Sequence, residues 1–356
     1  MAKLDEHRPL GLSGIMRVKN DASFIKQCVF SCINALDELI IVYNDCSDES
    51  PDVIEELRSE YPDKIKVFEY PYKVFGAHLS QTDYEYARSL PKDSPHLLCN
   101  YYNFALSKVT YSHALKIDAD QLYFVDKLSH FREIIISCPK QKGSIIGKIF
   151  HLLFTAYRYF CLKLRKKLPF LPKTLIQWLT PFYERYALSQ FSNGHAAISL
   201  SGVNVFKDQK WYVTMGRISK NDINLIPPFN GEGDHLIFPM SSKVIYEPFE
   251  MSYYNKLSGS SFSIIEEFHH PYKVFYMGFA WFHLNTMRPN VIDRVRYLRT
   301  EDPECFVLLK DFTSLSFGTI ERICDSEMFS LFQRLLFSYI YVAYGSDIRP
   351  HETLLK

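Results

Sequence analysis

The chain has 356 residues, with 41 Lys plus Arg against 40 Asp plus Glu and a formal net charge of +1. Such a length is ample for one large α/β domain or two modest ones, and it excludes a miniprotein that depends on disulfide or metal staples. The balanced charge leaves no whole-molecule footprint for nucleic acid, so no nucleic-acid partner is expected, while 24 Tyr and 28 Phe make a heavy aromatic load for core, sugar-stacking or membrane-facing surfaces.

From Leu10 to Val18 the chain reads as a buried strand, and Asp21 to Leu36 sets Phe24, Ile25, Cys28, Val29, Cys32, Ile33 and Leu36 at helical spacing. A second apolar strand, Glu38 to Tyr43, runs into the polar turn Asn44-Asp45-Cys46-Ser47-Asp48; Ser50 or Asp48 is placed to cap a helix over Pro51 to Tyr61. Ile65 to Phe68 predicts a third strand. Alternation of β and α in this way predicts a doubly wound sheet, whose ligands sit beyond the carboxyl ends of the strands. A helix is expected over residues 97–110, and Tyr111 to Ile117 leads as a strand into Asp118-Ala119-Asp120.

Composition then changes. Between Glu133 and Glu184 there is no acidic residue, whereas Lys148, Arg158, Lys163, Arg165, Lys166, Lys167 and Lys173 are basic and aromatic side chains are interleaved with them. Segment 143–178 therefore predicts contact with an anionic membrane surface, the alternative being a helical pair with solvated lysines. Ala196 to Phe206 returns to a strand pattern, Phe229-Asn-Gly-Glu-Gly-Asp-His reads as a glycine loop bearing carboxylates, and Met328 to Tyr344 predicts an apolar helix. The eight cysteines show no paired spacing and read as reduced thiols. With no secretory stretch at the N-terminus and no uncharged apolar run near 20 residues, the expected location is cytoplasmic, peripheral at the inner membrane.

Two carboxylates at i and i+2 just past a strand can converge on one hard divalent cation, so Asp118 and Asp120 are candidate ligands for Mn²⁺ or Mg²⁺; the bland alternative is a solvated turn. Together with Met16-Arg-Val-Lys-Asn-Asp, Ile-Val-Tyr-Asn-Asp-Cys, Lys116-Ile-Asp-Ala-Asp-Gln, Leu-Ser-Gly-Val-Asn-Val-Phe and Asn230-Gly-Glu-Gly-Asp, this motif resembles the family-2-like GT-A glycosyltransferases. More narrowly, the set is similar to bacterial lipopolysaccharide-core and capsule β-1,4-galactosyltransferases, over roughly residues 10–290. Two positions depart from the family pattern: Tyr43-Asn44 stands where an Asp is usual in the nucleotide turn, and Asn100-Tyr101-Tyr102-Asn103 where an Arg-Asn pair is frequent.

The resemblance implies a GT-A fold, a Rossmann-like doubly wound mixed sheet with a basic, aromatic helical insertion and a C-terminal helical tail. On that expectation residues 1–135 form the nucleotide-sugar-binding half ending in the acidic motif, 136–190 the basic amphipathic insertion, 191–290 the acceptor and catalytic half, and 291–356 a C-terminal helical region. It implies an inverting transfer of a hexose, with galactose from UDP-galactose foremost, onto a lipid-linked or oligosaccharide acceptor of a bacterial lipopolysaccharide or capsule. Arg17, Asn20, Asn44, Asp45, Lys116, Asp118 and Arg288 would contact the UDP-sugar, and Asp234 or its neighbour Glu232 would take the acceptor's proton. Asp118, Asp120 and His283 would hold the metal, although a histidine among Trp281, Phe282 and Leu284 also reads as a core residue, and Arg288 as a surface salt bridge. Two other readings remain: a metal-dependent nucleotidyltransferase, with Gly11, Gly14, Arg17 and Lys19 as a thin phosphate loop, or a non-catalytic carbohydrate- or membrane-binding module.

Overall fold

The computed structural model describes residues 8–137, 142–215, 227–231, 233, 235–255, 259–324 and 329–348. In chain order the first elements are β1 (Leu12–Val18), α1 (Ala22–Cys32), β2 (Glu38–Tyr43), α2 (Ser50–Glu60), β3 (Ile65–Glu69), α3 (Gln81–Ser89), α4 (Leu98–Ser107) and β4 (His113–Asp118). Then follow β5 (Gln121–Tyr123), α5 (Val125–Ser137), α6 (Ile145–Lys163), α7 (Lys173–Ser192), β6 (Ala196–Asp208), β7 (Lys210–Thr214), β8 (Phe229–Asn230) and β9 (Leu236–Pro239). The chain continues through β10 (Ile245–Asn255), β11 (Gly259–His269), β12 (Lys273–His283), α8 (Pro289–Glu301), β13 (Phe306–Leu308), α9 (Leu309–Phe312), α10 (Phe317–Cys324) and α11 (Leu331–Tyr344). It divides into two compact units, Met1–Ala119 with Phe238–Lys273, and Asp120–Ile237 with Val274–Lys356.

The first unit holds a parallel sheet in the order β4-β1-β2-β3. Strands β1, β2 and β4 are buried on both faces, as expected where βα crossovers cover a parallel sheet, with Leu39, Ile40, Ile41 and Val42 fully buried, while the edge strand β3 is half-buried beyond Ile65. Helix α1 presents Phe24, Ile25, Cys28, Val29 and Cys32 to this core. The turn after β2 serves both helices: the Asp48 carboxylate accepts from Ala22 N and Ser50 N, each at 3.0 Å, and Ser50 Oγ accepts from Asp21 N at 2.9 Å. Gly14 lies inside β1, where a Cβ would meet Ile117, Leu36 and Leu39, and a Cβ on Gly11 would meet Tyr111 and Asp37. These glycines therefore serve close packing in and beside a strand, and the phosphate loop that a nucleotidyltransferase would need is not formed there. Strands β10 and β11 make an antiparallel hairpin in full register from Ile245↔His269 to Asn255↔Gly259, which Asn103 of α4 fastens through Tyr246 O (2.8 Å) and Tyr246 N (2.9 Å).

In the second unit β6 is the central strand, buried along almost its whole length, with β7, β8 and β9 antiparallel to it and β12 also paired on it. Strand β13 adds to β7 through Phe306↔Thr214, Val307↔Val213 and Leu308↔Tyr212, so the region expected to be purely helical contributes a short strand to the sheet. Three residues are too few to carry a readable alternation.

Helices α6 and α7 meet closely at Gly147, where a Cβ would collide with the Phe182 carbonyl. Gly147, Phe150, Phe154 and Cys161 form the buried side of α6. By length and composition this helix is long and apolar enough to cross a bilayer, with mean hydropathy 1.2 and 22% of that window buried. Lys148 and Arg158 interrupt its apolar sequence, so it contains no long uncharged run.

Candidate active site

In the first unit three parallel strands end side by side. The register sets Arg17 of β1 opposite Asp118 of β4 on one side and opposite Val42 of β2 on the other. Because β2 and β4 flank β1, the strand order reverses at β1, and the crevice between β1 and β4 is the topological switch point at which such sheets bind ligands.

The Arg17 guanidinium lies over the Tyr102 ring, 3.0 Å from its centroid, and its Nη2 is 3.9 Å from Asp118 Oδ1. Lys116 Nζ is 4.0 Å from Asp118 Oδ2. Burial acts to lower the Arg17 pKa, but Tyr102, Glu266 and Asp118 around it leave it raised, so the group is a permanent cation. Burial pushes the Tyr102 phenol well above its ordinary range, and the ring beneath the guanidinium stays neutral. One carboxylate, 31% exposed, is thus backed by two cations whose side chains are 13% and 10% exposed. Such a cluster favours an anionic ligand.

Around it, Asn20 and Asp45 occupy left-handed backbone positions, φ 58° and 46°, that Asn and Asp tolerate. Asn20 Oδ1 accepts from Ser47 N at 2.7 Å, joining the ends of β1 and β2. Asp45 meets Lys19 Nζ at 2.8 Å on the surface, and that contact holds its carboxyl below the usual range. Asn44 is buried, and its Nδ2 donates to Tyr70 O (2.6 Å) and Tyr72 O (2.7 Å). Both amide hydrogens are committed there, so Asn44 anchors the chain after β3, and its amide nitrogen has no donor left for a ligand.

The second unit carries the other half of the acidic motif. Asp120 is buried at 4% exposure, and its Oδ2 accepts from Arg288 Nε and Nη2, both at 2.9 Å. His283 Nε2 lies 3.4 Å from Asp120 Oδ1. The register explains the approach: β12 pairs β5 with His283 opposite Gln121, and Leu284 N donates to Asp120 O at 2.7 Å.

Two amides orient the imidazole. Asn204 Nδ2 donates to Pro227 O at 2.6 Å, which turns Asn204 Oδ1 toward His283 Nδ1 at 2.8 Å. Asn230 Oδ1 accepts from Trp281 Nε1 at 3.1 Å, which turns Asn230 Nδ2 toward the same nitrogen at 2.6 Å. His283 Nδ1 therefore faces one acceptor and one donor, and either neutral tautomer is satisfied. With Nδ1–H donating to Asn204, Nε2 offers a lone pair; with Nδ1 accepting from Asn230, Nε2–H points toward Asp120.

Trp281 is fully buried, and a Cβ on Gly202 or on Gly231 (φ 83°) would strike its indole, so the ring is packing and not a sugar platform. Glu232 and Asp234 lie outside the described residues. Their flanks belong to the second unit: Asn230 pairs Gly202, Ser201 Oγ donates to Gly231 O at 3.3 Å, and Leu200 N donates to His235 O at 3.1 Å. Sequence reasoning missed Tyr102, Asn204 and Asn230 as supporting residues. The available signal was an amide between two valines, Val203-Asn204-Val205, in a strand that also carries Ser199 and Ser201.

Residues 2–167, somewhat less than half of the chain, match the model of the beta-1,4-N-acetylgalactosaminyltransferase (CgtA) family. The first part of the chain thus matches a glycosyltransferase family, as its motifs imply. No curated protein matches the chain. Among solved structures, S. aureus TarS residues 1–349 in complex with UDP is similar at 18% identity over 35% of this chain and 32% of that chain, with a TM-score of 0.26. The same protein in complex with UDP-GlcNAc is similar at 18% identity over 35% and 31%, also at 0.26. The matched stretch spans about a third of the length of those chains.

Proposed function

We propose that this protein is an inverting, metal-dependent glycosyltransferase that moves a hexose from a UDP-sugar to an acceptor hydroxyl. The observation that carries the reading is the cluster at the switch point, where Arg17 and Lys116 flank Asp118 at the ends of β1 and β4. Arg17, over the Tyr102 ring, and Lys116 would bind the diphosphate, with Asp45 and Asn20 on the turn beside it. The galactose expected from the motifs and the N-acetylgalactosamine in the matched family's description share an axial C4 hydroxyl, so a galacto-configured donor is the reading we favour.

The donor set suits Mn²⁺ or Mg²⁺: a carboxylate oxygen of Asp120 and the Nε2 of His283 are 3.4 Å apart, and two amides hold the far side of the ring. Among the described residues no three acidic, histidine or cysteine side chains gather as a ligand set, so Asp118 would join this pair only as the motif implies. When bound, the cation would stabilise the departing diphosphate. Arg288, now on Asp120 Oδ2, is a planar donor that would either keep that carboxylate oriented or turn to a phosphate oxygen. On the acceptor side, Asp234 or Glu232 would accept the hydroxyl proton.

A lipid-linked or oligosaccharide acceptor of a bacterial surface glycan, worked on at the cytoplasmic face of the inner membrane, completes the proposal. Its support is the exposed apolar face of α6, where Ile145, Ile149, Leu152 and Tyr159 are 78, 53, 56 and 60% exposed. The test is a panel of UDP-sugars with Mn²⁺, Mg²⁺ or chelator. Turnover of a galacto-configured donor that disappears in chelator is expected. Absence of turnover with every nucleotide sugar would overturn the transferase, and full turnover in chelator would remove the metal.

A further inference from the structure

Within the second unit, a cavity of 540 Å³ lies between α6, α7, α11 and the connecting segment 164–172. Its walls are apolar and aromatic: Phe154, Phe170, Ile176, Leu335, Tyr339 and Val342. Phe154 packs against Tyr339 at 4.3 Å between centroids and against Phe170 at 5.7 Å, and Tyr157 stacks on Phe170 at 4.2 Å. Tyr157 also donates to Leu168 O at 2.7 Å, which holds the connecting segment over the aromatic wall. Besides the Tyr157 and Tyr339 hydroxyls, the polar side chains of the lining are Lys167, Lys173, Glu321 and Ser338, with Lys167 Nζ 3.6 Å from Glu321 and 3.3 Å from Ser338 Oγ. An apolar volume with a few convergent polar groups, in the range of about 300–1,000 Å³, is the usual form of a small-ligand site.

The surroundings narrow the ligand. On the side of α6 away from Gly147, Phe150 and Phe154, the positions Ile145, Ile149, Leu152, Ala156 and Tyr159 recur at helical spacing and face outward. Leu164 at the end of α6 is 60% exposed, and Trp178 on α7 is 58% exposed. The charges among these apolar groups are of one sign: Lys148, Lys163, Arg165, Lys166 and Lys173 are exposed, and no acidic residue occurs between Glu133 and Glu184. Basic side chains beside an outward apolar stripe complement an anionic bilayer surface, because their stems lie along hydrocarbon while their heads reach phosphate.

We infer that this cavity takes one hydrocarbon chain of an anionic phospholipid, whose phosphate is met by Lys167 and Lys173. The chain replaces water against Phe154, Phe170 and Tyr339, and Lys167 exchanges its contact with Glu321 for the phosphate. This deepens the membrane part of the reading above and is independent of the transfer chemistry.

Native mass spectrometry of the full chain in non-ionic detergent, with phosphatidylglycerol or phosphatidylcholine added, is the test. One phosphatidylglycerol per chain is expected, at least tenfold preferred over phosphatidylcholine. Ser338→Trp, which fills the cavity from its rim, is expected to abolish the adduct, and Lys167→Glu to abolish the headgroup preference. Should Ser338→Trp lower the unfolding temperature, the smaller Ser338→Leu gives the same comparison. An adduct unchanged in a folded cavity-filled variant, or equal binding of both lipids, overturns the inference. Co-sedimentation of Ile149→Asn/Leu152→Asn with phosphatidylglycerol vesicles judges the membrane reading separately: full retention of vesicle binding sinks docking through α6 without touching the cavity result.

Discussion

Asp120 stands between a guanidinium and an imidazole, and its chemistry follows from which of them it serves. With Arg288 on one oxygen and His283 near the other, the buried carboxylate is held in one orientation, which is the preparation a cation ligand needs. Asp120→Asn keeps the shape and removes the charge. Cation-dependent donor turnover should then fall by about 10²–10³-fold, the scale of losing one preorganised charge-stabilising group, measured as kcat at saturating Mn²⁺; unchanged kcat would remove Asp120 from the site. Arg17→Lys keeps the charge and loses the guanidinium that stands over Tyr102. Donor KM should rise about tenfold with kcat little altered, as when binding common to ground and transition states is lost. Asp118, Asp120, Lys116 and Arg17 were legible because they sit in local motifs at strand ends. Tyr102, Asn204 and Asn230 were not, because each acts on a partner far away in the chain and a single buried amide has no sequence period.

Among the elements, β4 carries a pH dependence of its own. Burial pushes the His113 imidazole down from its ordinary value of 6.5 to about 3, so the folded chain keeps it neutral while the unfolded chain protonates it. Its stability contribution is complete above pH 6.5 and is lost as pH falls toward 3, by at most about 1.4 kcal/mol per pH unit. Burial works to raise the Glu38 pKa, but Lys66, Ser13 and Thr110 bind the carboxylate and leave it lowered, so its contribution is full above the ordinary carboxylate value of 4.5 and is lost as pH falls from there through the lowered folded value. The urea midpoint should therefore fall from pH 6.5 downward, and His113→Phe should flatten the upper part of that fall; an unaltered profile would reject the assignment. Helix α6 depends on Gly147, and Gly147→Val should cost about 1–3 kcal/mol or more through collision with the Phe182 carbonyl, read from thermal unfolding. The β/α alternation up to β4 was readable from apolar runs and periods. The β10–β11 hairpin was not, since Pro248 interrupts β10, a residue tolerated there because, among the described residues, β10 pairs on one side with β11 alone.

For the whole molecule, the net charge of +1 conceals a stretch from residue 134 to residue 183 that carries only basic charge. Binding to phosphatidylglycerol vesicles should weaken as salt rises from 0.1 to 1 M, where the screening length shrinks from about 10 to 3 Å, and a residual apolar component should remain; salt-independent binding would contradict an electrostatic role for the lysines. By itself the sequence determined the local elements, the acidic motif at the end of a strand and this one-signed stretch, because each depends on neighbours within a few turns of chain. Only the tertiary structure decided that Phe238–Lys273 belongs with the N-terminal unit, that Asp120 meets Arg288 across 168 residues, and that α6 turns its apolar stripe outward. Strand register and helix crossing set those contacts, and both are settled by packing between segments that share no local pattern.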